Sequence, residues 1–499
     1  MTSEATTSDE PTLDPDEELK VRFGYTPRLR RKLGAFGSFM LAYSMITITT
    51  TIFTLFAVPF QSLGGWAIWL WWPVLGGVLG ITRIYGHLAS RLAVTGYAYQ
   101  WSARIVSPSF GWFSGWNAFG CTLIGTAGIA VALASVFAPD VSHQHQTHTD
   151  IALLAIGAIL AAAVINILGI RVAKWVNNVG GTMELVGTLG FAAALGVGLI
   201  FFHGIQGPRV LFQAGSSNGS QLSFGAIGLA LLLPVYTLAG EEGSADLAEE
   251  TRDPHLTVPR AMTRAVLISG IAAFCLYAIF AMAIPGNIAP VVNGAANPMI
   301  AIFQAHYGVG PADALQVIAF AAMFSALVCN MAVAGRTGYS LARDNMLPFS
   351  GWFGRVNERT RTPISLIVVV AAFAILVNVL AAGVATNMAT NVISVVNVAL
   401  YLTYGSTCVA VLIGHRRRTI PDAPPQYYSL GRWLVPVTVA VLVFCVIVFA
   451  FTVGPASEHV VLKYAAGYEA IGAVWYLAAL RRRLRAGQAG PHATEQQPD

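Results

Sequence analysis

The chain has 499 residues, of which 55% are hydrophobic and only 11% charged, with a net charge of +5. Soluble domains carry about 25% charged residues, so the composition excludes an ordinary soluble fold. The basic residues sit at the ends of apolar stretches and form no single patch, which argues against nucleic acid as a partner.

Residues 1–32 run acidic and then basic, without the apolar core of a signal peptide. A disordered, cytoplasmic N-terminus is expected over 1–33. From Leu33 to Leu480, long apolar stretches alternate with short polar breaks. A helix needs about 20 mostly apolar residues to cross a bilayer. Twelve spans follow: 34–60, 66–89, 110–137, 150–169, 176–203, 223–250, 261–284, 312–341, 363–382, 387–413, 433–453 and 461–480. Segments such as 151–169 and 363–382 lack the polar face that a helix of a soluble protein would show. Short amphipathic helices are expected at 96–106 and 297–307. A cytoplasmic tail is expected over 481–499, with disorder from Ala486.

With the N-terminus inside, the inner segments hold all of the 29 Lys and Arg residues except Arg209 and Lys463. This positive-inside bias supports twelve spans with both termini cytoplasmic, in a multi-pass protein of the plasma membrane. The five cysteines all lie in apolar segments, with no metal or disulfide spacing. His143, His145 and His148 share the outer loop 138–149 with no carboxylate or cysteine cluster and read as solvated. No metal and no cofactor are expected.

Two spans look interrupted at mid-membrane. The first contains Thr47-Ile48-Thr49-Thr50-Thr51, a β-branched hydroxyl run that weakens a helix. The sixth contains Thr237-Leu238-Ala239-Gly240-Glu241-Glu242-Gly243, where two glycines flank two carboxylates. The two breaks are five spans apart. That offset suits an all-α membrane fold with a five-plus-five inverted repeat (about 34–203 and 223–413) and two extra helices at 433–480. Transporters often bind substrate at such paired breaks. The exposed N–H groups attract a carboxylate and the carbonyls attract an ammonium group, so the site suits a zwitterion.

Several motifs resemble the amino acid–polyamine–organocation superfamily, with the amino acid/choline transporter branch nearest. ITTTIF at 48–53 is similar to a degenerate first-helix motif of that superfamily. SRLAVTGYAYQW at 90–101 with GWFSGW at 111–116 resembles its stretch between helices two and three. LAEETRDPHLTVPRA at 247–261 resembles the end of helix six and its inner loop, and ARDNMLP at 342–348 the end of helix eight. The resemblance implies a leucine-transporter-like fold with substrate between helices one and six. It implies that backbone around Thr47, Thr49, Thr50 and Thr51 receives a carboxylate. It implies that carbonyls around Tyr236, Thr237 and Leu238, next to Gly240, receive an amino group, with Tyr236 lining or gating the pocket. Two departures stand out. Thr49 and Thr51 replace the usual glycines, and Glu241 replaces the usual aromatic residue beside the more usual acid, Glu242. Both are compatible with choline, ethanolamine or polyamine-type organocations as well as amino acids.

An ionisable group inside a span points to function, since burial there costs about 2.5–3.5 kcal/mol on insertion scales. Glu184 in the fifth span is a candidate for proton coupling; relatives implied by the resemblance carry a titrating lysine there. It also reads as a cap for the broken first helix. Glu241 is a candidate contact for a cationic substrate group. Asp246, Glu249 and Glu250, with Arg252, Arg260 and Arg343, read as an inner-gate network or as a plain polar end. Ser325 stands alone on the eighth span where a sodium site would want paired hydroxyls, which favours proton coupling or exchange. HExxH and paired aspartates on facing spans are both missing, so an enzyme is not expected. No repeated filter sequence suggests a channel. A transporter-derived receptor stays open, as do the substrate's identity, the direction of flux and the oligomeric state.

Overall fold

The computed structural model describes residues 14–491 except Pro27, 142–147, Ser220, 295–296, 383–387 and 454–458. The expected outer histidine loop is centred on residues outside this set. All named elements among the described residues are helices.

The N-terminal segment departs from expectation. Instead of disorder, Asp14 caps a helix α1 (Pro15–Val21), accepting a bond from the Asp16 amide at 2.9 Å, with Pro15 at the first helical position. Leu19, Phe23 and Tyr25 are buried in the main core. Three apolar anchors outweigh the acidic composition that suggested disorder.

The first span is two helices, α2 (Ala35–Met45) and α3 (Ile48–Leu55), followed by α4 (Ala57–Ser62). The second is a 3-10 turn, Gly65–Leu70, leading into α5 (Trp71–Ala89). The short helix α6 (Tyr97–Ile105) lies where an amphipathic helix was expected. Then come α7 (Pro108–Val141), α8 (His148–Ile167) and α9 (Ile170–Gly198). The fifth span starts six residues earlier than expected, because Gly169 at φ 109° makes the turn and helix resumes at once.

The sixth span holds α10 (Phe224–Thr237), a non-helical stretch, and one turn, α11 (Gly243–Asp246), followed by a 3-10 turn at Ala248–Glu250. Helix α12 (Pro254–Met282) follows, then α13 (Ile288–Gly294) and α14 (Pro298–Tyr307). Asn297 caps α14 by accepting from the Met299 and Ile300 amides. The chain continues through α15 (Val309–Arg343), α16 (Ser350–Phe353), α17 (Ile364–Ala382), α18 (Met388–Arg417) and α19 (Leu434–Val453). It ends with α20 (His459–Trp475), a π turn at Tyr476–Leu480 and α21 (Arg481–Arg485).

Nine described helical segments are long and apolar enough to cross a membrane, and Phe224–Thr237 and Ile364–Leu380 are shorter apolar helices. With α20 they occupy the twelve expected positions. Helices α8 and α19 turn large apolar side chains outward, including Leu153, Leu160, Val164, Val439, Val443 and Val446. Such surfaces suit lipid and not water. The packed core instead gathers α2, α3, α7, α10, α15 and α18. The C-terminal tail also departs from expectation: the Gly490 amide donates to the Asp344 carbonyl at 2.8 Å and Ala489 is buried.

Candidate functional site

The break in the first span is built by Thr47, which adopts the left-handed conformation (φ 47°, ψ 50°) between α2 and α3. A β-branched residue rarely adopts it. Helix restarts at once: the Thr51 amide donates to the Thr47 carbonyl at 3.1 Å and the Thr51 hydroxyl to the same carbonyl at 3.0 Å. The Thr54 hydroxyl donates to the Thr50 carbonyl at 2.7 Å. Threonine here replaces lost helical bonds with side-chain ones. The Thr49 amide donates to Glu184 Oε1 at 3.0 Å. Glu184 therefore caps the second half of the broken helix, one of the two roles its sequence position suggested.

The sixth span breaks after Thr237, whose hydroxyl donates to the Leu233 carbonyl at 2.5 Å. The Leu238 amide donates to the Pro234 carbonyl at 3.1 Å, and the Ala239 amide reaches the Tyr236 carbonyl at 3.4 Å. Gly240 has φ 117°, a conformation that L side chains rarely adopt, and a Cβ there would collide with the Met45 carbonyl oxygen. The two breaks are thus in direct backbone contact. Gly243 packs against Met45 as well. Thr47, Thr49, Thr50, Thr51, Tyr236, Thr237 and Leu238 are all buried there.

Glu241 and Glu242 are both buried. The Tyr404 hydroxyl on α18 lies 3.0 Å from Glu242 Oε2 and 3.4 Å from Glu241 Oε2, while the Thr82 hydroxyl on α5 lies 3.5 Å from Glu241 Oε1. Tyr404 in turn packs on Tyr85 and Tyr401, with ring centroids 5.6 and 5.5 Å away. Among the described residues, no Lys, Arg or His pairs with either carboxylate. Helix-dipole support for these two charges is small, because α11 is a single turn. Tyr404, Tyr85 and Thr82 were missed in the sequence. They come from distant spans and read as ordinary apolar-segment residues.

Four of the six expected gate residues come together. Asp246 Oδ1 accepts the Gly96 amide at 2.9 Å and Glu249 Oε1 the Thr95 amide at 3.1 Å, so both carboxylates hold the start of α6. Arg343 pairs with Glu249 at 3.0 Å. Glu250 pairs not with an expected arginine but with Arg336, at 2.8 Å. Arg252 and Arg260 are exposed and stand outside the network; the Arg252 amide only donates to the Leu33 carbonyl at 2.8 Å. Arg336 lies inside the expected eighth span, and an ionisable group within an apolar span is a signal that could have found it.

The N-terminal segment straps across this end. Arg31 bonds Asp16 at 2.6 Å and the Thr251 carbonyl at 3.0 Å. Glu18 meets His255 at 2.6 Å and Arg22 at 2.9 Å. Burial opposes the Glu18 charge, but the bonds and charges of His255 and Arg22 outweigh it and hold the carboxyl below its ordinary value. The Tyr25 hydroxyl donates to Asp344 at 2.9 Å, beside Tyr99 at 2.7 Å, and the Arg343 guanidinium lies 3.6 Å from the Tyr25 ring centre. Burial first, then the Asp344 charge, push the Tyr25 phenol well up, so it remains a donor.

A bundle of apolar helices with two mid-span breaks pressed together at its centre is the architecture of a membrane permease. Residues 33–475 match the amino acid permease family, and the chain belongs to that family. The superfamily resemblance read from the motifs therefore holds, and membership makes the protein a transporter and not an enzyme. The chain is similar to an uncharacterized amino-acid permease of Schizosaccharomyces pombe, 24% identical over 97% of this chain and 87% of the relative. It is similar to amino-acid permease 2 of Neurospora crassa, 25% identical over 90% and 83%. It is also similar to amino-acid permease BAT1 of Arabidopsis thaliana, 24% identical over 85% of each.

Proposed function

We propose that the protein is a secondary active transporter that moves amino acids across the plasma membrane by alternating access, with both termini cytoplasmic. The observation that carries this reading is the contact of Gly240 with the Met45 carbonyl, which presses one helix break against the other. The N–H end around Thr49 and Thr50 receives the substrate carboxylate, the Thr51 amide being taken by the Thr47 carbonyl, and the carbonyls of Tyr236, Thr237 and Leu238 receive its amino group. Repeats at about 34–203 and 223–413 rock about this point, and the ion pairs of Glu249 and Glu250 close the cytoplasmic end.

Proton coupling is favoured over sodium. Glu184 accepts the Thr49 amide, and a protonated carboxyl accepts a weaker hydrogen bond than a carboxylate does, just where a substrate carboxylate would dock. Transport and protonation are linked through one amide.

A second reading follows from Glu241 and Glu242. Two buried carboxylates lacking a cation partner among the described residues and packed against tyrosines favour a substrate with a second positive charge, or an organocation such as choline, ethanolamine or a polyamine. A thermal-shift screen of purified protein against amino acids, GABA, choline, ethanolamine and polyamines tests both readings. Stabilisation by neutral zwitterions supports the first, and stabilisation confined to cations supports the second. No stabilisation by any of them contradicts both.

A further inference from the structure

Arg30, Lys32, Arg171 and Arg359 line one cavity of about 240 Å³, floored by Gly169 and Thr360. The cavity joins three separate pieces of chain: the segment before α2, the turn between α8 and α9, and the loop before α17. Gly169 allows this meeting, because a Cβ there would press on the Thr360 carbonyl at 3.2 Å. Lys174, one turn along α9, adds a fifth charge nearby and donates to the Lys32 carbonyl at 3.0 Å. Among the described residues, none of the four lining cations is in an ion pair, and no carboxylate lines the cavity. Four like charges gathered without a counter-charge repel one another, at a cost that an anion relieves.

The surroundings say which anion. Leu160 and Val164 on α8 and Leu168 just past its end form an outward apolar stripe that reaches the cavity, and Trp175 (67% exposed) and Val179 lie exposed on α9. A tryptophan beside a basic pocket marks the level of the headgroups. A free phosphate would use the charges but not the stripe. We infer that this cavity binds the headgroup phosphate of an anionic phospholipid, whose acyl chains lie along α8 and α9. A lipid held there bridges the segment leading into the first broken helix to the start of α9 and the loop before α17.

The test uses full-length protein in neutral detergent, with bound lipid counted by native mass spectrometry as phosphatidylglycerol or phosphatidylcholine is added. The wild type should hold one phosphatidylglycerol saturably in preference to phosphatidylcholine. Arg30→Gln/Arg171→Gln/Arg359→Gln should bind it about tenfold or more weakly. The matching Lys triple should retain it, as should Arg416→Gln/Arg417→Gln/Arg482→Gln, which loses equal charge elsewhere. Should the first triple variant not fold, Arg359→Gln alone, on an exposed loop, should still weaken binding severalfold. Equal loss in both Gln triples, unchanged binding in every variant, or displacement of the lipid by millimolar inorganic phosphate would each overturn the assignment.

Discussion

Glu184 on the fifth span holds the backbone amide of Thr49 at the break of the first, Oε1 to N, at 3.0 Å. One carboxylate thus caps the half-helix that the proposed substrate would use. Glu184→Gln keeps an acceptor and removes the charge, so the pH dependence of uptake should flatten while substrate binding persists. Glu184→Ala leaves the amide buried without that acceptor and should cost about 1–3 kcal/mol. Uptake across a pH series, with melting curves for both variants, checks the pair. A Gln variant with an unchanged pH profile would remove Glu184 from coupling.

Gly240→Ala should be severe. The added Cβ meets the Met45 carbonyl, and the left-handed backbone is strained by about 1–3 kcal/mol in its own right. Gly243→Ala should be milder, because its neighbour at 2.9 Å is the flexible Met45 side chain. Melting temperature and uptake of both variants, compared side by side, test whether the backbone contact between the breaks matters.

The Arg336–Glu250 pair is buried, at 1% and 0% side-chain exposure. Glu250→Gln should destabilise by about 3–5 kcal/mol, because Arg336 is left without its charge partner. Glu250→Gln with Arg336→Met should recover part of that loss. Arg260→Gln, at an exposed position outside the network, should change stability by no more than about 0.5 kcal/mol. Equal losses for Arg260→Gln and Glu250→Gln would refute this division of the inner end.

The N-terminal strap should be acid-sensitive. The Glu18 carboxyl is held below its ordinary value of 4.5. Its bonds to His255 and Arg22 therefore stabilise docking at neutral pH, and that contribution fades as pH falls below about 4.5 and through the depressed value. Hydrogen exchange over residues 15–25 should rise in that window for the wild type and be already raised at neutral pH in Glu18→Gln. Acid-independent exchange would contradict the assignment.

Most of the helical layout was legible, because apolar length and the positions of Lys and Arg are both forced by a bilayer. The breaks were legible too: Thr47 and Gly240 stand where helix chemistry is locally poor. What those breaks touch was not. The bond from the Thr49 amide to Glu184, and the Tyr404 hydroxyl shared by Glu241 and Glu242, depend on how spans far apart in sequence rotate against one another. The same limit misassigned Arg252 and Arg260, near the acids in sequence yet exposed, and hid Arg336. The strap was missed for another reason. Composition averages over a segment, whereas Leu19, Phe23 and Tyr25 anchor it individually.

At the centre stands proton-coupled amino acid transport through the paired breaks. Its most direct test is uptake of labelled amino acid by proteoliposomes under an imposed proton gradient. Saturable accumulation above the outside concentration is expected, with collapse on dissipating the gradient and loss in Gly240→Ala. Saturable binding without any flux, or accumulation driven only by a sodium gradient, would contradict it.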